Sequence, residues 1–554
     1  MFFFKKTENF QCFCFKLRDD SSFLTVEFHR TVCYNGSAGR RAAPAGDKRD
    51  GNGGVRGREN VRIYLSGHEY RYAVEQMLLT LFPGERPEYP AGEPEGERLE
   101  VALHRAAVYT TASCALLRGG KRFRGTARAK NSALTDRITT ERICQRLVKN
   151  AMYRAALASG LRRPVWGALT GVRPGKVLLP LIRANGEAEA LVRLERDYDV
   201  SPERAALCLD AARHTLAAAD SLEGRDVCLY VGIPFCPTRC AYCSFVSQSV
   251  EKSMKLIEPF LDALLREIEA TGEQARRLGL RPVAVYFGGG TPTTLSPEQL
   301  ERVCAKLESC FELSALREYT VEAGRPDTIT AEKLAVLRAH GVDRVSVNPQ
   351  SMSDAVLEAI GRRHSAADIV AALETVRAVG GFAVNMDLIA GLPGDSAEGF
   401  RATLETVLAL APENVTVHTL SLKRGSRILA EGTPLPGAEE VGEMLDFASA
   451  RLRAEGYGPY YLYRQKFMSG GFENVGWTRE GCVNLYNICI MEELCSILAM
   501  GAGGSTKLIR HDGGRNLRFI APKYPLEYIQ GIDGVCAEKE QIGTFYRESG
   551  ELEE

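Results

Sequence analysis

The feature that most limits how this chain can fold is a repeated alternation of β-rich runs and amphipathic helical stretches, beginning at Asp226. The strand-like runs are VCLYVGIPF (227–235), VAVYFGGG (283–290), YTVEAG (319–324), RVSVNPQ (344–350), AVNMDLIAG (383–391) and VTVHTLSL (415–422). Helical patterns separate them, such as PFLDALLREIEATGEQARRLG after the first. Successive β–α units of this kind imply a parallel sheet with right-handed crossovers. The runs are almost continuously apolar, as strands are when both faces of their sheet are covered. A doubly wound sheet and a partial (β/α)6 barrel both satisfy the pattern. The chemically loaded residues lie at or just past the C-terminal ends of the strands, where barrel enzymes carry their sites. The expected fold is therefore α/β, with a TIM-like partial barrel at its centre.

The flanks read differently. Residues 1–60 look foreign to the rest, and the stretch 37–58 (SAGRRAAPAGDKRDGNGGVRGR) has almost nothing to bury, so a disordered or spurious tail is expected. Residues 61–222 read as an α+β domain. VRIYLSG (61–67) and RLEVALHRAAVYTTASCALL are strand material, and EYRYAVEQMLLTLF (69–82), 136–159 and 177–220 have helical spacing. The barrel is expected over 223–435, with a mixed α+β extension over 436–554. WGALTGVRPGK (166–176) superficially suggests a phosphate loop, but Val177 stands where Ser or Thr is needed and the glycine spacing is wrong. A buried turn fixed by Pro174 is the expectation there.

Composition narrows the function classes. With 45% hydrophobic and 25% charged residues, the chain of 554 residues can bury a sizeable core. Lys+Arg and Asp+Glu are both 70, so no global field attracts nucleic acid or a membrane surface. No run of about 18 apolar residues occurs, so no membrane-spanning helix is expected. The start has no signal-peptide pattern, and a cytoplasmic location is expected. Sixteen cysteines in so long a chain are not a disulfide framework, and Cys208, Cys304 and Cys310 read as buried core thiols in a reducing compartment.

One cysteine group is tightly spaced: Cys236-Pro-Thr-Arg-Cys240-Ala-Tyr-Cys243, immediately after the first strand of the barrel. Three thiolates within eight residues can turn around one metal centre. A structural zinc site wants four N/S ligands, and the nearest histidines are His214 and His340, so a distant fourth ligand would be required. Cys228 lies back along the strand, away from the loop. A cubane iron–sulfur cluster normally takes four cysteines, so three leave one iron open to a small-molecule ligand.

This CxxxCxxC spacing, after a first strand and followed by five further β–α units, resembles the radical S-adenosylmethionine (SAM) superfamily over about residues 226–430. The resemblance implies a 4Fe–4S cluster on Cys236, Cys240 and Cys243, with SAM chelating the open iron and cleaved by one electron to a 5′-deoxyadenosyl radical. Gly288-Gly289-Gly290-Thr291 after the second strand looks like the superfamily segment that meets the SAM amino group, with Gly289, Gly290 and Thr291 facing it. Further residues are similar to one branch, the oxygen-independent coproporphyrinogen III oxidases (coproporphyrinogen dehydrogenases) and the related heme chaperones. There the resemblance makes Tyr230, Tyr242, Glu322, Gln350, Arg362 and Asp387 ligands of SAM. Arg362 would salt-bridge its carboxylate, and Tyr242 would lie beside the adenine. WGALTGVRPGK, YLYRQKFMSGGFENVGW (461–477) and MEELCSILAMGAGGSTK (491–507) resemble the HemZ-type subgroup and extend the likeness over roughly 61–530.

The resemblance implies hydrogen abstraction from propionate β-carbons, loss of CO2, and protoporphyrinogen IX as product in heme biosynthesis. It also implies a tetrapyrrole substrate, a flavodoxin or ferredoxin as electron donor, and an external electron acceptor whose identity the sequence does not carry. Lys423, Arg424 and Arg427, just past the sixth strand, are candidate propionate anchors, as are Arg464 and Lys466. The sequence departs from the oxidases at Phe245, where they carry a fourth cysteine. That ending is closer to the heme chaperones, so a heme-binding and delivery protein is the alternative.

Overall fold

The computed structural model describes residues 60–243, 248–249, 253–422, 426–465 and 469–548. Residues 37–58, Phe245, Lys423, Arg424 and Lys466 lie outside the described residues.

The chain begins with β1 (Asn60–Ser66) and the helix Arg71–Leu81, which buries Val74, Met77, Leu78 and Leu81 at helical spacing. There follow β2 (Arg86–Glu88), β3 (Arg98–Arg105), β4 (Tyr109–Arg118) and β5 (Lys121–Lys130). They form a five-stranded sheet ordered β2-β1-β3-β4-β5. Gly119 and Gly120, both with positive φ, make the two-residue turn between β4 and β5, the conformation a tight hairpin demands. The helix Arg137–Ala158 lies across this sheet and buries Cys144, Leu147, Val148, Ala151 and Met152. Gly125 lets β5 approach it, because a Cβ there would stand 2.1 Å from the Ala151 carbonyl oxygen.

The helices Gly175–Tyr198 and Pro202–Asp220 lead into the central sheet. WGALTGVRPGK is a structural connection. Trp166 is buried and donates from Nε1 to Glu473 at 2.6 Å, and Pro174 precedes the first turn of the helix Gly175–Tyr198. Lys176 donates from Nζ to the Glu492 carbonyl.

β6 (Asp226–Ile233) opens the central sheet, and the two-residue strands β7 (Phe235–Cys236) and β8 (Gln248–Ser249) pair beyond its end. Next in the chain come β9 (Arg281–Gly289), β10 (Glu318–Glu322), β11 (Arg344–Ser346), β12 (Ala383–Ala390) and β13 (Asn414–Thr419). β6, β9, β10, β11, β12 and β13 lie side by side in chain order, all parallel. The intervening helices include Ile257–Arg277, Pro297–Cys310, Ala331–Ala339, Ala366–Val379 and Ala397–Ala409. This is the expected α/β fold, with six parallel strands in chain order and helices between them.

On β6, Val227, Leu229, Val231 and Ile233 join the core beneath the helices, and Cys228 and Tyr230 face the other side. Full burial of a large apolar side chain such as Phe260 is worth about 1.5–3 kcal/mol, and many such residues fill this layer.

The C-terminal part extends the sheet at both edges. β14 (Gly458–Arg464) and β15 (Glu473–Thr478) continue it beyond β13, antiparallel. β16 (Ser496–Gly501) pairs parallel with β6, with Ile497 opposite Cys228, and β17 (Ser505–Leu508) and β18 (Leu517–Ile520) follow. The helices Pro525–Gln530 and Ile532–Glu538 cover Ile257–Arg277, where Lys539 pairs with buried Glu267 at 2.7 Å.

Candidate active site at the strand ends

The three spaced cysteines sit on the loop that leaves β6. Cys236 belongs to β7, and the Cys243 amide donates to the Cys240 carbonyl at 3.2 Å, which bends the loop back on itself. Two amides fasten it to the glycine loop after β9: Gly290 donates to the Ile233 carbonyl and Thr291 to the Phe235 carbonyl, each at 2.7 Å. Glycine is required at 290, since a Cβ would stand 2.4 Å from the Phe235 carbonyl oxygen. Gly289 has φ near +101°, a conformation L side chains rarely adopt. Ala241 donates to the Ile360 carbonyl on the far side, so the cysteine loop is held at several points.

These residues edge a cavity of about 470 Å³ at the C-terminal ends of the parallel strands. Its walls bring together Cys236, Cys240, Cys243, Tyr230 and Tyr242 from the β6 strand and loop. They also include Gly289 at the end of β9 with Gly290 and Thr291 just after it, Glu322 from β10, Gln350 and Arg362 following β11, and Asp387 on β12. Positions spread over more than 150 residues thus meet at one space because each follows or ends a neighbouring strand.

Arg362 is buried beside this space and donates from Nη1 to the Asn348 carbonyl at 2.5 Å and from Nη2 to the Tyr242 hydroxyl at 3.4 Å. Its Nε has no partner among the described residues, nor do Arg325 Nη2, Thr238 Oγ1 or either ring nitrogen of His364. Such unmatched buried groups cost about 1–3 kcal/mol each unless a ligand completes them. Arg325 Nη1 also lies 3.9 Å from Cys240 Sγ, so two guanidinium groups put positive charge beside the cysteine loop. Burial, then the Arg362 and Arg325 charges, lower His364 to about 4, which keeps it neutral.

The two carboxylates differ. Burial raises Glu322 to about 7, and nearby Asp387 adds to the rise. Burial also pushes Asp387 upward, but His418, Asn385 and Thr416 outweigh it and hold this acid below its ordinary value. Tyr286 donates to Glu322 Oε1 at 2.5 Å, and His418 Nε2 stands 3.8 Å from Asp387 Oδ2. Gln350 reaches the cavity from a left-handed backbone, φ +68°, fixed because its amide donates to the Asp387 carbonyl and its carbonyl accepts from Ile389. Local strain of this kind costs about 1–3 kcal/mol and is maintained by its surroundings.

The floor is aromatic. Tyr286 and Tyr486 stack with centroids 4.4 Å apart, and Tyr230 stacks on both at 6.4 and 6.3 Å. Sequence reading missed Tyr286, Tyr486, Arg325 and His418. Tyr286 was discoverable, since it pairs directly with Tyr230 across β6 and β9. Tyr486 was not, because it arrives from a helix far along the chain.

The positive anchors proposed for a polycarboxylate divide. Arg427 is exposed at the start of the helix Arg427–Glu431, with its guanidinium beside Gly361, and is not among the cavity's lining residues. Arg464 is buried and donates to the Gly471 carbonyl at 3.0 and 2.6 Å and to the Leu169 carbonyl, so it braces backbone.

Three thiols on one loop, a buried guanidinium whose Nε has no partner among the described residues, paired acids and a glycine edge suit a cysteine-bound cluster carrying a zwitterionic ligand. Comparison with known proteins bears on that fit. Residues 230–407 match the model of the radical SAM superfamily. The chain is 40% identical over 380 residues to the oxygen-independent coproporphyrinogen-III oxidase-like protein HemZ of Bacillus subtilis, covering 68% of this chain and 76% of that one. The chain belongs to the HemZ-type branch of the radical SAM coproporphyrinogen oxidase family. The cofactors of this family are a 4Fe–4S cluster and SAM.

HemZ-type proteins have relatives with two different names. This chain is 32% identical over 250 residues to the heme chaperone HemW of Bacillus subtilis, covering 44% of this chain and 64% of the chaperone. It is 30% identical over 266 residues to the anaerobic coproporphyrinogen III oxidase 1 of Cereibacter sphaeroides, covering 47% of this chain and 55% of the oxidase. No helix among the described residues is long and apolar enough to cross a membrane.

Proposed function

We propose that this protein is an oxygen-independent coproporphyrinogen III dehydrogenase, which converts two propionates to vinyl groups and yields protoporphyrinogen IX. The observation that carries the reading is the convergence of Cys236, Cys240 and Cys243 with Arg362, Glu322 and Asp387 on a single cavity. Cys236, Cys240 and Cys243 hold the cluster, whose bound form with SAM supplies one-electron, hydrogen-abstracting chemistry. Arg362 meets the SAM carboxylate through its charge and its Nε, which has no partner among the described residues. Glu322 and Asp387 accept from its ammonium and ribose hydroxyl groups, and Gln350 supplies a further amide contact. Tyr242 flanks the adenine. Gly289 and Gly290 let backbone approach, with Thr291 beside them. Tyr230, Tyr286 and Tyr486 close the floor against water, which protects a reactive centre from side reactions. With the cofactors bound, each propionate would give a hydrogen atom from its β-carbon to the SAM-derived 5′-deoxyadenosyl group and then lose CO2. An external acceptor would take the remaining electron, and a flavodoxin or ferredoxin would be the electron donor. Lys423 and Arg424 are the propionate anchors we favour, with Arg427 next to them in sequence.

The likeness to a heme chaperone supports a second reading, in which the chain binds heme and decarboxylates nothing. Anaerobic incubation of cluster-loaded protein with coproporphyrinogen III, SAM and a reductant separates the two. The dehydrogenase releases CO2 and forms a divinyl product. Stoichiometric heme binding with no CO2 overturns the proposal.

A further inference from the structure

A second set of cysteines meets in the buried cluster that also holds Tyr230, Tyr286 and Tyr486. Cys228 lies on β6 two residues before Tyr230, Cys489 on the helix Leu485–Glu492, and Cys495 immediately before β16. Their three Sγ atoms all fall within 4.8 Å of one another, and Cys228 and Cys495 are 3.6 Å apart. All three are buried free thiols, exposed by 0%, 0% and 3%. The surroundings are apolar: Ala218, Val283, Ala284, Ile488 and Ile497 belong to the same cluster.

We propose that Cys228, Cys489 and Cys495 bind one thiophilic d10 cation, Cu(I), in a three-sulfur site that ties the C-terminal segment to the first strand of the barrel. Metal–thiolate bonds of about 2.3 Å put sulfurs roughly 4 Å apart around a trigonal ion, which the observed spread brackets. No fourth His, Cys, Asp or Glu joins the trio among the described residues. Structural zinc takes four ligands, whereas soft thiolates without oxygen or nitrogen partners suit Cu(I). A cubane is a poor match, because it spreads its thiolates over separate iron atoms, farther apart than these sulfurs lie. The Arg317 guanidinium, which donates to Ser221, lies within electrostatic range of Cys489 and offsets part of the site's negative charge. Ordinary packing of core thiols explains burial but not three sulfur tips converging from three elements. The placement gives the ion a structural role: the helix Leu485–Glu492 carries Tyr486 and Cys489, Cys495 leads into β16, which borders β6, and the site ties both to Cys228 on β6.

The test is anaerobic titration of the full-length protein with Cu(I) against a chromogenic copper chelator, followed by X-ray absorption at the copper edge. It is run on a variant with Cys236, Cys240 and Cys243 all changed to Ser, so that the first cysteine group cannot answer. We expect one tightly held equivalent with three sulfur neighbours, and its loss in the same variant carrying Cys489→Ser. Where the first variant fails to fold, as judged by circular dichroism, cluster-loaded wild type and Cys489→Ser are compared at equal iron content, and copper held per chain is read instead. Equal copper retention with and without Cys489, or no copper held above background by folded protein, overturns the proposal. A Cys228–Cys495 disulfide in protein kept anaerobic throughout does the same.

Discussion

At the residue scale, the distinction that matters is between side chains that face the cavity and side chains that hold the fold. Cys236, Cys240 and Cys243 were legible from spacing alone, whereas Glu322, Gln350, Arg362 and Asp387 took their meaning from family likeness and strand position. The structure gathers all seven about one cavity. Arg464 shows the opposite case: in sequence it is a cation in a loop-like stretch, but burial and backbone carbonyls occupy it. Arg362→Ala should leave iron content unchanged and weaken SAM binding by about 1.5–3 kcal/mol, roughly ten- to a hundredfold, because a charge-assisted contact is lost. Calorimetry of SAM binding to cluster-loaded protein checks this, and unchanged affinity removes Arg362 from the site.

Glu322 gives a pH dependence with a definite sign. Its acid is raised to about 7, so in the ligand-free protein it is neutral below that value and anionic above it. SAM binding should tighten as pH rises from 6 to 8, since the anion attracts an ammonium group. Glu322→Gln should flatten that slope. For the ligand-free fold the linkage runs the other way. Between the ordinary value of 4.5 and about 7 the native state keeps a proton the unfolded chain has released, so this group's contribution to stability falls as pH rises through that window. The difference in unfolding free energy between wild type and Glu322→Gln, followed from pH 4 to 8, isolates it. A pH-independent difference would remove the assigned shift.

At the element scale, the six parallel strands of the core were readable because each is a short apolar run with a helix after it. β5 was not, since KRFRGTARAK is basic and contains a glycine, and only Gly125 and Ala127 are buried. Its place is set by the Gly119–Gly120 turn and by the helix Arg137–Ala158 behind it, which are tertiary effects. The cysteine loop and the glycine loop work as one element, fastened by the Gly290 and Thr291 amides. Gly290→Ala would push a methyl group against the Phe235 carbonyl, a backbone atom that cannot swing aside. Iron incorporation and SAM affinity should therefore both fall in Gly290→Ala, in contrast to Arg362→Ala, where only SAM binding suffers. Iron and sulfide analysis after anaerobic reconstitution reads the difference. Normal loading would mean the two loops are not coupled.

At the scale of the whole molecule, the pattern after residue 435 looked mixed for a physical reason. Its strands complete a sheet begun more than 200 residues earlier, with β14 and β15 on one edge and β16, β17 and β18 on the other. Local periodicity carries no record of such pairing, and the meeting of Cys228 with Cys489 and Cys495 was hidden in the same way. The assembled sheet carries a cavity lined by the cysteine loop and by Tyr230, Tyr286 and Tyr486, and our account makes that cavity the place where a propionate β-hydrogen is removed. The most direct measurement uses coproporphyrinogen III deuterated at the propionate β-carbons, incubated anaerobically with cluster-loaded protein, SAM and reductant. The account predicts deuterium in the 5′-deoxyadenosine, with CO2 released in step. Unlabelled 5′-deoxyadenosine, formed at the same rate with and without the tetrapyrrole, would contradict it.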